Sequence, residues 1–127
     1  MVEFNNKTDY DLDLNNLKSL VERALPSAAK LSVAFLDPEE IKIFNEKYRD
    51  STGATDVLSF EGDGDFLGEV LVCPEVVESQ AEEHGLKFNS EIRRVLIHGV
   101  LHLLGYNHKN KKDKREMRKE EEKLLSG

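Results

Sequence analysis

His98-Gly99-Val100-Leu101-His102-Leu103-Leu104-Gly105-Tyr106-Asn107-His108 holds three of the chain's four histidines, in the order H-x3-H-x5-H. His98 and His102 are four residues apart. On a helix their side chains lie on one face, one turn apart, within reach of a single ion. Gly105 follows His102 by three positions and suits the left-handed residue that ends a helix. The chain can then turn back and present His108 as a third ligand. Three neutral imidazoles hold one tetrahedral zinc and leave its fourth position to water, as in a catalytic rather than a closed structural site. An isolated H-x3-H pair on an apolar helix is more often packing or coincidence. The third histidine behind a glycine turn changes that balance, and the stretch reads as a metal site with an exchangeable water.

The spacing is that of the long zinc-protease motif H-E-x-x-H-x-x-G-x-x-H, with Gly99 in place of the glutamate that serves those enzymes as general base. No Met-turn follows, because Met117 sits in a charged helical stretch. The ligand scaffold is present and the peptidase base is absent.

The histidines lie in a segment predicted as a helix from Ser90 or Glu91 to Leu104. Ile92, Val95, Leu96, Val100, Leu103 and Leu104 form a broad apolar stripe, which Ile97 and Leu101 carry round the cylinder. A helix apolar on nearly all sides is buried, and histidines inside it need partners that a metal supplies.

Working outward, Val2–Asn5 is a short strand candidate and Leu12–Leu25 an amphipathic helix closed by Pro26. Leu31, Val33 and Phe35 alternate within a strand from Lys30 to Leu36. Asp37 is placed to cap a second helix that has Pro38 at its first position and Glu39 and Glu40 in its first turn. That helix runs to about Tyr48 and is expected to present Ile41, Phe44 and Tyr48 to the core. Val57–Phe60 and Phe66–Val72 read as a hairpin across Glu61-Gly62-Asp63-Gly64-Asp65. Asp63 and Asp65 lack the EF-hand frame, so this is a turn and not a calcium loop. Pro74 opens a helix to about His84, ended by Gly85, and a charged helix spans Lys111–Leu125 with Met117, Leu124 and Leu125 inward. His84 is placed to meet the end of its helix and not to act in a site. The order βαβαββααα predicts a single α+β domain over residues 1–127, with a small mixed sheet of about four strands and about five helices. The histidine helix is expected to lie buried against the sheet.

With 127 residues, 39% hydrophobic and 34% charged, the chain can bury a core without staples. No apolar run approaches bilayer length, and the polar, acidic start is unlike a signal peptide. Cys73 is the only cysteine, so no internal disulfide forms. It suits a reducing, cytoplasmic setting and a buried role at a strand end. A net charge of −7 argues against diffuse binding to polyanions. Locally, Lys109, Lys111, Lys112, Lys114, Arg115, Arg118 and Lys119 make a basic run beside His108; solvation is its ordinary role and guidance of a nucleic-acid backbone a further one.

His98–His108 resembles the HGxLHLxGYDH signature of the YbeY family of bacterial endoribonucleases and ribosomal RNA maturation factors. Asn45, Tyr48 and Arg49, followed by Thr55–Phe60 (TDVLSF), are similar to that family's NxxYR…TDVLSFP block. Leu67–Val70 resembles its LGDI strand, Gln80–Gly85 the helix before the histidines, and Glu116-Met117 to Leu125 its closing EMxxxE…LL helix. The likeness runs from the second helix onward. Three positions depart: Asn107 and Glu69 stand where aspartate is usual, and Glu61 where proline commonly follows TDVLSF. None is a proposed metal ligand, but Asn107 removes a carboxylate beside the site.

The resemblance implies a metal-dependent endoribonuclease acting on single-stranded RNA, with ribosomal RNA at the small-subunit 3′ end as substrate and the ribosome or its proteins as partners. It implies His98, His102 and His108 as ligands of one Zn2+ that also carries a water. Arg49 matches the family's motif arginine, and a guanidinium can clasp phosphate oxygens bidentately; its bland alternative is a surface salt bridge. Asp56 is read as a turn acceptor before it is read as a base. Two rivals stay open at this point. One is a non-catalytic assembly factor in which the metal fastens the buried helix to the Tyr106–His108 turn; the other is a zinc peptidase of another lineage, against which Gly99 speaks.

Overall fold

The computed structural model describes residues 1–126. Its strands are β1 (Val2–Asn6), β2 (Lys30–Phe35), β3 (Val57–Glu61) and β4 (Phe66–Val72). The helices are α1 (Leu14–Ala24), α2 (Pro38–Tyr48), α3 (Pro74–Glu83), α4 (Phe88–Leu103) and α5 (Lys111–Ser126). The strands form one mixed sheet in the order β1-β2-β4-β3. β1, β2 and β4 run parallel, and β3 pairs antiparallel with β4 from Val57↔Val72 to Glu61↔Gly68, the expected hairpin. This is the α+β domain that the element order implies.

The alternation in β2 sorts its side chains onto two faces. Leu31, Val33 and Phe35 join Val70 and Val72 on one face, where Leu17 and Val21 of α1 and Ile92, Val95, Leu96 and Val100 of α4 cover them. Ala34 and Leu71 point the other way, to Leu58, Cys73 and Ile41 of α2. Cys73 is fully buried at the end of β4, as its neighbours suggest. α5 closes the far side of α4, with Met117 and Leu124 packed on Leu20, Ile97 and Leu101. α4 therefore touches α1, α3, α5, β3 and β4, and its two histidines are carried by the most widely packed helix of the fold.

Some expectations are corrected. α4 begins at Phe88, earlier than Ser90, which places Glu91 inside its first turn. Leu12 lies ahead of α1, though it still packs on the core. Asp13 caps α1 by accepting the Asn16 N–H at 3.1 Å. Asp37 occupies the cap position of α2 but makes no side-chain capping bond. Tyr48, expected in the core, is 55% exposed. The inward face of α2 ends at Asn45, whose Nδ2 donates to the Gly53 carbonyl at 2.9 Å and ties down the following loop. Tyr48 instead leans on Phe44 and the edge of Phe60.

Candidate metal centre and cleft

α4 carries His98 and His102 on the face turned to a cleft, and Gly99 on the face turned to the sheet. A Cβ at position 99 would lie 2.9 Å from both Val57 Cγ2 and Val70 Cγ1 and 3.2 Å from Ser59 Oγ. The Ser59 hydroxyl donates to the Gly99 carbonyl at 2.8 Å. Position 99 is thus a close helix-to-sheet contact, with no room for a protease-type glutamate. α4 ends as expected. Gly105 takes φ +99°, a conformation costly for any residue with a Cβ, and the Tyr106 N–H reaches back to the Leu101 carbonyl at 3.0 Å. The chain turns, and His108 arrives beside the other two.

One ring nitrogen from each histidine lies within 4.8 Å of the others. His98 Nε2 and His102 Nε2 are 3.1 Å apart. Zinc–nitrogen bonds of ~2.0–2.1 Å in a tetrahedron separate two ligand atoms by about 3.3 Å, so this pair is already near ligand spacing. His108 is exposed and free of helical restraint, so its ring can close the remaining gap. The donor set fits one divalent ion. Burial holds the His102 pKa below its ordinary value, and nearby His98 and His108 lower it further. Its neutral form, the one that donates to a metal, prevails near neutral pH.

A further residue completes the centre. Glu121 of α5 places Oε1 2.7 Å from His98 Nδ1. A proton on Nδ1 donated to that carboxylate leaves the Nε2 lone pair for the ion, the usual outer support of a metal-bound imidazole. The sequence signal for Glu121 was faint: it lies four residues after Met117 and three before Leu124, both buried, and so shares the inward face of α5.

His98 and His102 border a cleft of about 840 Å³ between α4 and β3. Arg49, at the end of α2, reaches the same cleft. Its guanidinium carbon lies 4.6 Å from the centre of the Phe60 ring and the group donates to the Ser59 carbonyl, so Arg49 has its partners on the strand side of the cleft and not in a surface ion pair. Asp56 also borders the cleft, but its Oδ1 accepts the Val57 N–H at 2.8 Å as a turn acceptor does. Arg94, one turn ahead of His98, lines the helix side. His84 is exposed at the end of α3, and the basic residues from Lys109 to Lys119 are all exposed. No helix among the described residues is long and apolar enough to cross a membrane.

The family model described as endoribonuclease YbeY matches residues 3–127. The chain belongs to the YbeY family. It is 38% identical to the endoribonuclease YbeY of Nautilia profundicola, over 98% of this chain and 89% of that one. With the Staphylococcus saprophyticus endoribonuclease YbeY it shares 32% over 94% of this chain and 87% of the other. A Thermotoga maritima protein solved in solution superimposes with a TM-score of 0.74 at 32% identity, covering 99% of this chain and 87% of that one. Against the YbeY pattern, Asn107 is a mild departure. Its Oδ1 accepts the Lys109 N–H at 3.1 Å, which an amide oxygen does as well as a carboxylate. Glu61 sits on the cleft rim at the end of β3, and Glu69 on β4 is outside the cleft lining.

Proposed function

We propose that this YbeY-family protein is a metal-dependent endoribonuclease that cuts single-stranded ribosomal RNA, at the 3′ end of the small-subunit RNA, in ribosome maturation and quality control in the cytoplasm. One observation carries the proposal: three imidazole nitrogens converge, and two of those histidines, His98 and His102, line a cleft that Arg49 also lines. An all-nitrogen set of three histidines with an open side suits zinc. Bound by these three side chains, zinc would supply a water of pKa about 7 and would polarise a phosphoryl oxygen.

The chain's own groups do the rest. His98, His102 and His108 hold the ion, and Glu121 fixes the tautomer of His98. Negative charge grows on the phosphate oxygens as the attacking oxygen approaches and the leaving oxygen departs. Arg49, pinned by Phe60 and the Ser59 carbonyl, offers its remaining N–H groups to those oxygens. Donors already in place stabilise that charge without reorganising. The open cleft admits an unpaired strand.

The rival roles fit less well. The end of α4 is already closed by the Gly105 and Tyr106 N–H bonds to the His102 and Leu101 carbonyls, so the helix does not rely on a metal to end there. Peptidase chemistry lacks both a base at position 99 and the space for one. The test is cleavage of a labelled single-stranded ribosomal RNA fragment by zinc-loaded protein beside the folded His102→Ala variant. Cleavage by the wild type alone is expected, and cleavage at the wild-type rate by the variant would overturn the assignment.

A further inference from the structure

Among the described residues, two polar side chains are buried: Asn45 at 6% exposure and Glu91 at 3%. Asn45 ties its loop. Glu91 has one conspicuous partner. Its Oε1 accepts from Arg94 Nε at 2.8 Å and its Oε2 from Arg94 Nη2 at 2.9 Å. Removing a carboxylate from water is costly, and a well-packed apolar pair often serves stability as well or better. Stability alone therefore does not call for this ion pair. Its product is an arginine held by a parallel fork from beneath while its side chain stays 46% exposed at the cleft.

A guanidinium has five N–H groups. Glu91 takes one from Nε and one from Nη2, which leaves three, two of them on Nη1. Arg94 is thus pre-oriented with unused donors, as a phosphate-binding arginine should be. The pair also keeps the Glu91 carboxyl ionised, its pKa held down chiefly by the hydrogen bonds from Arg94. Asp56 and Glu121 lie near enough to Arg94 to temper its positive field. Recognition there depends on directed bonds and not on diffuse charge, in keeping with a chain of net charge −7. Arg49 stands on the strand side of the cleft and Arg94 on the helix side, with His98 and His102 along the same lining.

We propose that Arg94, positioned by Glu91, binds a backbone phosphate next to the one at the histidines, so that the cleft engages two phosphates of one RNA strand. This rests on the nuclease assignment above, with Arg49 serving the reacting phosphate and Arg94 its neighbour.

The test is the salt dependence of binding of a dye-labelled 2′-O-methyl octauridylate to the zinc-loaded protein, read by anisotropy. One lost phosphate contact on a single strand flattens the plot of log K against log salt by about 0.7. Arg94→Gln is expected to show that flattening, with Kd raised about tenfold at low salt. Because that variant leaves Glu91 buried without its partner, the double variant Glu91→Gln with Arg94→Gln is run beside it, and the same flattening is expected. Glu91→Gln alone keeps the charge of Arg94 but loosens it, and should raise Kd with the wild-type slope.

A wild-type slope and Kd in the folded double variant would overturn the Arg94 assignment, as would a failure of the wild type to bind the octamer. The nuclease assignment is judged apart, by cleavage. Cleavage lost in His102→Ala with an unchanged slope in the double variant keeps the nuclease and removes the Arg94 contact. A flattened slope without wild-type cleavage keeps the contact and removes the nuclease.

Discussion

Removing Glu121 should weaken metal binding without unfolding the protein. Its carboxylate is 14% exposed and meets His98 Nδ1 at 2.7 Å, while Met117 and Leu124 on the same face dock α5 independently. Outer partners of metal-bound histidines contribute about 10–100-fold to affinity, or about 1.4–2.7 kcal/mol. Glu121→Gln keeps an acceptor for the Nδ1 proton and loses only the charge, so a zinc affinity lowered about tenfold is expected. Glu121→Ala loses acceptor and charge together, frees the ring to rotate and exchange tautomers, and should approach the hundredfold end. Competition for zinc against a chromophoric chelator near neutral pH measures both, with a thermal melt of the metal-free proteins as the check on folding. If folded Glu121→Ala binds zinc within about twofold of the wild type, far below the range for such partners, the carboxylate does not support the centre and His98 is oriented by α4 alone.

Gly99→Glu, which restores the protease motif, should cost more than about 3 kcal/mol by overpacking Val57 and Val70 and burying a carboxylate. Denaturant unfolding measures the loss, and a peptide-library assay should stay negative; a stable variant with peptidase activity would refute the packing account. Arg49→Ala should lower RNA cleavage about 10²–10³-fold while zinc affinity by the same chelator competition stays at the wild-type value. For the metal-free protein, the lowered pKa of folded His102 means that the unfolded chain takes up the proton first as pH falls. Stability should then decline as pH drops below the unfolded value of about 6.5 and level off below the folded one. Melts between about pH 5 and 8 should show that decline, and it should be smaller in His102→Gln.

Most of the site could be read from the sequence because its parts are local. His98 and His102 are joined by helical period, and His108 by a glycine whose left-handed turn is a short-range event. Arg49 came from the family resemblance and not from its own neighbourhood, and only the structure shows Phe60 and Ser59 holding it in the cleft. Glu121 was hidden in a charged helix: its spacing from Met117 and Leu124 puts it on the inward face, but only the docking of α5 on α4 brings it to His98. Glu91 was hidden by a boundary: with α4 beginning at Phe88, a residue that suits an exposed first turn is buried against its neighbours. The strand order was also beyond local patterning. The hairpin of β3 and β4 follows from a short turn, but placing β2 between β1 and β4 depends on which apolar faces α1 and α4 cover. Tyr48 fits the helical stripe of Ile41 and Phe44 yet lies past the point where α2 leaves the sheet.

The central claim is that one ion held by His98, His102 and His108 makes this cleft a nuclease. It is tested most directly by titrating zinc into the metal-free protein while following both cleavage of a labelled single-stranded ribosomal RNA fragment and the thermal melt. Cleavage that rises from nothing and saturates at one zinc per chain, in a protein already folded before the first addition, is the predicted result. Cleavage unchanged by zinc, or a fold that forms only as zinc is added with no cleavage at saturation, would contradict it.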